Sequence, residues 1–202
     1  MKKGAVVWLC GLAGSGKSTL ARALREKLCA KFDNVIYLDG DELRELLGSF
    51  AYDKNGRVQV ALSYARLAKF LSKQGQIVIV STISLFREVY EFNRANLQNY
   101  FEIFIECDFD ELKRRDQKGL YTGALSALAR LEKNGANANA DNAANVGKSN
   151  VANMPNVVGV DIPYDTPSPH FMLNNTALNG LESKAESIFE AFMKFYGTNA
   201  TL

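Results

Sequence analysis

Short unbroken apolar runs alternate along this chain with longer stretches in which apolar residues recur every three or four positions. The runs Val6–Cys10, Val35–Leu38, Ile77–Ser81, Glu102–Cys107 and the shorter Phe171–Leu173 predict strands. Between and after them, helical spacing runs through Lys17–Ala30, Arg57–Gln74, Phe86–Gln98, Phe109–Arg115 and Leu181–Tyr196. In the last, Leu181, Ala185, Ile188, Phe189 and Phe192 fall on one face at a 3.6-residue period. The strands are continuously apolar rather than alternating, which is expected of a parallel sheet covered on both faces. Strand and helix in alternation predict an α/β domain of three layers around five mainly parallel strands.

One segment breaks the pattern. From Glu132 to Asn156 the chain is dominated by Asn, Ala and Gly, which cannot bury a side-chain cluster. It reads as a flexible surface insertion, since a long loop costs little extra closure entropy. The whole chain, residues 1–202, is otherwise expected to be a single domain.

Composition narrows the classes. The 202 residues carry a formal charge of +2, too little to argue for nucleic acid or a membrane surface as partner. No apolar run approaches the ~18–20 residues of a membrane span. Lys2 and Lys3 precede an apolar stretch as in a leader peptide, but that stretch is the first strand itself, so it is read as core. Cys10, Cys29 and Cys107 are scattered and odd in number, which predicts free thiols in a reducing, cytoplasmic setting rather than disulfides or zinc. The single histidine, His170, is given no catalytic role.

The chemistry begins where the first strand ends, in Gly11-x-x-x-x-Gly16-Lys17-Ser18. Strand, glycine-rich loop and helix in that order form a P-loop. Its backbone N–H groups can turn inward around a phosphate and the following helix adds its positive end. Lys17 can reach the outer phosphates of a nucleoside triphosphate, and the Ser18 hydroxyl suits Mg²⁺. A second Gly147-Lys148-Ser149 has Asn142 where the first glycine is required and no strand before it, so it is a decoy.

Further chemistry gathers at the other strand ends, where ligands bind in parallel α/β sheets. The second strand runs into Asp39-Gly40-Asp41-Glu42-Leu43-Arg44. There a carboxylate can hold metal-bound water or accept a proton, and Arg44 can bind an anionic acceptor. An N-cap is the competing reading, and the two combine if Asp41 caps while Asp39 works. Ser81-Thr82-Ile83-Ser84 and Arg87 close the third strand, where a hydroxyl-rich helix start would look the same. After the fourth strand, Lys113, Arg114, Arg115 and Lys118 are either cations at a helix end or a lid over the triphosphate.

Taken together these motifs resemble the adenylylsulfate (APS) kinase family. The likeness is carried in order by Gly11–Thr19, Asp39-Gly40-Asp41 with Arg44, Ile83-Ser84 with Phe86-Arg87, Arg115-Asp116-x-Lys118-Gly119-Leu120-Tyr121 and Gly159-Val160-Asp161-x-Pro163-Tyr164-Asp165. The resemblance covers nearly the whole chain outside the Asn-rich segment. It implies a P-loop kinase fold with a lid near residues 115–131, the use of Mg²⁺ and ATP, and phosphorylation of the 3′-hydroxyl of an activated nucleotide. On the donor side it implies Gly11, Gly14, Ser15, Gly16, Lys17, Ser18, Thr19 and Arg115, with Ser18 and Asp39 at the metal. On the acceptor side it implies Asp41, Arg44, Tyr52, Arg57, Ile83, Ser84, Lys118, Leu120 and Val157. Asp39, Lys17, Arg115 and Ser84 form the implied catalytic set, and a homodimer is left open.

The departures fall on the acceptor side. Val60 stands where the family usually has Asn, Leu62-Ser63 replace paired arginines, and Val157-Val158 replace a Phe-Thr whose Phe stacks on adenine. Losing one face of an aromatic sandwich removes about 1–3 kcal/mol of base stacking. Adenylyl sulfate is therefore one expected acceptor. The alternative is the family's branch acting on cytidine diphosphoramidate in capsule modification, whose smaller base suits a pocket without that ring. A GTPase-like switch is disfavoured because the guanine-reading Asn/Thr-Lys-x-Asp is missing; Ala30-Lys31-Phe32-Asp33 lacks its first residue. A pseudokinase is disfavoured by the intact Lys17, Ser18, Asp39 and Arg115.

Overall fold

The computed structural model describes residues 3–49, 51–116, 119–136 and 156–198, with side chains omitted for 131–136. Five strands, β1 (Ala5–Cys10), β2 (Val35–Asp39), β3 (Ile77–Thr82), β4 (Tyr100–Glu106) and β5 (Phe171–Asn174), form one sheet in the order β2-β3-β1-β4-β5. Every pairing is parallel. The helices are α1 (Lys17–Cys29), α2 (Gly40–Leu46), α3 (Lys54–Lys73), α4 (Arg87–Asn96), α5 (Phe109–Arg115), α6 (Leu120–Ala136) and α7 (Leu181–Thr198).

The alternation of side chains along β1 divides the core. Val6, Trp8 and Cys10 face α3 and α4, meeting Tyr64, Ala65, Ala68, Val89 and Tyr90. Ala5, Val7 and Leu9 face the other way, onto Leu20, Leu24 and Leu28 of α1 and Ile188 and Phe192 of α7. All six residues of β1 are fully buried. Each large aliphatic side chain buried in this way contributes about 1.5–3 kcal/mol. Covering on both faces is why the strand sequences lack a polar alternation.

Two expectations change in detail. Leu181 is 41% exposed, so the inward face of α7 rests on Ala185, Ile188 and Phe192, with Phe189 half-buried beside them. The helix α6 was not legible in the periodicity, and it takes in residues 132–136 of the Asn-rich segment. Lys118, the decoy at 147–149 and the rest of that segment up to residue 155 lie outside the described residues.

The order β2-β3-β1-β4-β5 places a switch point beside β1, because its neighbours are reached by chain running in opposite directions. The crevice at the carboxyl end of such a strand is the usual ligand site of an open α/β sheet.

Candidate active site

The loop of residues 11–16 leaves the carboxyl end of β1 and turns directly into α1. Gly14 and Gly16 have φ of 75° and 89°, a backbone region that L side chains adopt at a cost. Gly16 is the N-cap of α1 and contributes no side-chain cap, so the first N–H groups of the helix are not satisfied by a capping side chain. Ser15 is fully buried and its Oγ has no hydrogen-bond partner among the described residues. The Lys17 ammonium donates to Leu12 O at 3.3 Å, folding back over the loop. Glycine turn, uncapped helix start and lysine together fit a polyphosphate.

Asp39 ends β2 in register with Ser81 of β3. It is 6% exposed and is itself the N-cap of α2, accepting from Asp41 N at 3.0 Å through Oδ1. This corrects the expectation that Asp41 caps. Asp39 is the last extended residue (φ −86°, ψ 133°), so its carboxylate alone is placed to receive the helix amides. Gly40 follows because a Cβ there would lie 3.0 Å from Ser81 O and from Thr82 Cβ.

The other oxygen, Oδ2, accepts from the Tyr37 hydroxyl at 2.6 Å and from Ser81 Oγ at 3.2 Å. Tyr37 Oη and Ser81 Oγ are 2.8 Å apart, and Ser81 Oγ lies 3.5 Å from Ser18 Oγ on α1. P-loop serine and strand-end carboxylate therefore meet in one hydroxyl cluster. Burial works to raise the Asp39 carboxyl, but the bonds from Tyr37, the Asp41 N–H, Ser18 and Ser81 outweigh it and hold the group below its ordinary range. Burial, and then the bond to Asp39, push the Tyr37 phenol up to about 12. Ser18 and Asp39 offer hard oxygen atoms of the kind that could hold Mg²⁺.

Arg115 lies against the P-loop. Its guanidinium donates to Gly14 O, Asn175 O, Thr176 O and Glu111 Oε1, and the side chain is 6% exposed. Asp116 caps the next helix by accepting from Tyr121 N and Thr122 N, and Tyr121 Oη donates to Ala13 O at 2.8 Å. The motif expected as a lid over the triphosphate is thus moored at its root to the P-loop. Leu120 is 37% exposed beside it. Asn175, which sequence reasoning missed, donates to Ser15 O at 2.7 Å and accepts from Lys184.

On the acceptor side, Arg44 and Arg57 both lie against the Tyr52 ring, 4.7 and 5.5 Å from its centroid. Arg44 donates to Ser49 O and Ala51 O, and Arg57 to Tyr52 O and Asn156 O. Burial and then the Arg44 charge work against the Arg57 cation. Two like charges beside one exposed ring form a site that an anionic group would relieve. Asp161 organises the adjoining turn by accepting from Asn156 N and Val157 N.

Other expected acceptor residues are less open. Val157 is 3% exposed and Val60 8%, both within the core. Ser84 is 3% exposed and accepts from Trp8 Nε1 at 2.8 Å, beside a half-buried Ile83. Arg87 points to solvent at α4, 3.8 Å from Glu91, and so does not enter the crevice. Thr19 is exposed on the first turn of α1. His170 is a packing residue: it stacks on Phe101 and its Nδ1 accepts from Glu102 N.

Comparison with known proteins settles the family. The model of the adenylylsulphate kinase family matches residues 3–146. The chain belongs to that family. Its members are kinases, that is, phosphotransferases. The chain is 50% identical over 185 residues to the cytidine diphosphoramidate kinase of Campylobacter jejuni, covering 92% of this chain and 94% of that one. It is 36% identical over 165 residues to the adenylyl-sulfate kinase of Deinococcus deserti, covering 81% and 77%. Among solved structures, the APS kinase of Mycobacterium tuberculosis in complex with AMPPNP and APS superposes with a TM-score of 0.72 at 26% identity, covering 96% of this chain and 99% of that one. Among the described residues no helix is long and apolar enough to cross a membrane.

Proposed function

We propose that this chain transfers the γ-phosphoryl group of ATP to the ribose 3′-hydroxyl of cytidine diphosphoramidate. The observation that carries the acceptor is the 50% identity, over nearly the full length of both chains, to a cytidine diphosphoramidate kinase.

The P-loop amides and the start of α1 bind the β- and γ-phosphates, and Lys17 swings from Leu12 O to neutralise charge on the group in transit. Ser18 would hold Mg²⁺, with Asp39 beside it, and the ion would supply neutralisation of the phosphate charge. Arg44 and Arg57 bind the acceptor's anionic groups and Tyr52 presents its exposed ring to the base. The acceptor hydroxyl attacks phosphorus in line, its proton passes to the Asp39 carboxylate, and ADP leaves. The segment near residues 115–131 serves as the lid, moored through Arg115 and Tyr121. ATP use and three free thiols suit the cytoplasm.

The deciding experiment incubates the enzyme with Mg·ATP and either cytidine diphosphoramidate or adenylyl sulfate, following products by phosphorus NMR and mass spectrometry. A 3′-phosphorylated cytidine product, with adenylyl sulfate turned over at least tenfold less efficiently, is expected. Preferential turnover of adenylyl sulfate overturns the acceptor assignment, and ADP formation that no acceptor accelerates overturns the kinase reading. In the same assay Lys17→Ala and Asp39→Asn should each abolish transfer.

A further inference from the structure

We infer that Tyr37, backed by Ser81, is a positioning residue that fixes the orientation of the Asp39 carboxylate by holding its Oδ2 oxygen. The inference rests on the proposed role of Asp39 as proton acceptor. An ionised carboxylate offers about four lone-pair sites, two on each oxygen. Among the described residues, Oδ2 receives Tyr37 Oη at 2.6 Å and Ser81 Oγ at 3.2 Å, so both of its sites are filled. Oδ1 receives Asp41 N at 3.0 Å, and the Ser18 hydroxyl bonds the carboxylate as well.

The geometry makes the hold directional. Tyr37 and Asp39 are two residues apart on β2, so their side chains share one face of the strand. Ser81 sits beside Asp39 in the sheet register and also touches Tyr37, at 2.8 Å. The three groups form a triangle of donors and acceptor in which the carboxylate cannot rotate without breaking two bonds. The Asp41 contact comes from the helix α2 backbone and fixes the other oxygen from the opposite side. Tyr37 also bonds the Ser18 hydroxyl, but Ser18 keeps Ser81 Oγ 3.5 Å away when the phenol is removed, so nucleotide binding should change little.

The test compares Tyr37→Phe with the parent enzyme, using kcat and acceptor KM, Mg·ADP affinity by calorimetry, and thermal unfolding. Loss of a hydrogen bond to a charged group predicts a fall in kcat of about 10- to 100-fold. Acceptor KM and Mg·ADP affinity should stay within about twofold, a split that general loss of structure does not produce. A parent-like kcat, or a fall matched by weakened Mg·ADP binding, overturns the inference. Should Tyr37→Phe not fold, Ser81→Ala asks the same question of the same oxygen: a kcat loss of about 2- to 10-fold is expected, and a parent-like kcat overturns it. Asp39→Asn separates the two levels. If it retains near-normal kcat, the proton-acceptor role fails; if it is inactive while Tyr37→Phe is normal, only the positioning role fails.

Discussion

Replacing Arg115 distinguishes a brace from a swinging lid cation. Its guanidinium reaches Gly14 O at 3.1 Å, Asn175 O at 2.7 Å, Thr176 O at 2.6 Å and Glu111 Oε1 at 2.8 Å. One side chain thereby ties the end of α5 to the P-loop and to the turn after β5. In Arg115→Ala, Glu111 keeps its two bonds to Arg114, so no carboxylate is stranded. The cost falls on three carbonyls that lose a charged donor, each worth about 1.5–3 kcal/mol in isolation. Shared partners and partial access of water make these less than additive, and a total of about 3–5 kcal/mol is expected. For a domain of this size that lowers Tm by about 6–20 °C. Arg115→Lys should recover less than half, because one ammonium cannot reproduce a planar fork with four acceptors. Urea and thermal unfolding measure the effect, with Mg·ADP calorimetry as a second readout, and affinity should fall with stability because Gly14 is released. A variant that unfolds within about 1 kcal/mol of the parent but has lost kcat would refute this reasoning and restore a solvent-facing lid cation.

Gly16→Ala should lose about 2–3 kcal/mol of stability and at least tenfold in Mg·ADP affinity, measured by unfolding and calorimetry. The residue sits at φ 89° and a Cβ would lie 2.4 Å from Asn175 Nδ2, so strain adds to the lost bond between Asn175 and Ser15. Parent-like values would mean that the loop relaxes freely. Glu111 is held at about 2 by its bonds from Arg114 and Arg115. Its folded value is depressed, so the stability it contributes is full above its ordinary 4.5 and is lost as pH falls from there toward 2. Glu111→Gln should therefore flatten the decline of Tm across that acid window, and an unchanged slope would remove the assignment.

Much of the architecture follows from local pattern. Each expected strand lies where an observed one does, with ends shifted by at most two residues, because continuous apolar runs in this composition have no other way to be buried. The helix Phe109–Arg115 matches its expected bounds, whereas α6 escaped notice because Gly123, Gly135 and the neighbouring asparagines dilute the helical signal. The donor loop was legible as a contiguous string, since its function is performed by backbone that the glycines themselves shape. Tyr37 was not singled out. Its only sequence signal was its place two residues before Asp39 on one strand face, a relation that gains meaning when Ser81 of β3 closes the triangle. Asn175 carried no signal at all, since its partner Ser15 is 160 residues away.

By itself the sequence determined that a P-loop follows the first strand, that the sheet is parallel, and that a carboxylate stands at the end of the second strand. Each of these depends on neighbouring residues and on the covalent order of the chain. Tertiary structure alone decided that Asp39 rather than Asp41 caps α2, and that Arg115 bonds to Gly14 O of the P-loop. It also decided that Val60 and Val157 are packed into the core. Those outcomes depend on which distant groups arrive at a given point, and hydrogen bonds of about 3 Å are decided only when both partners are in place.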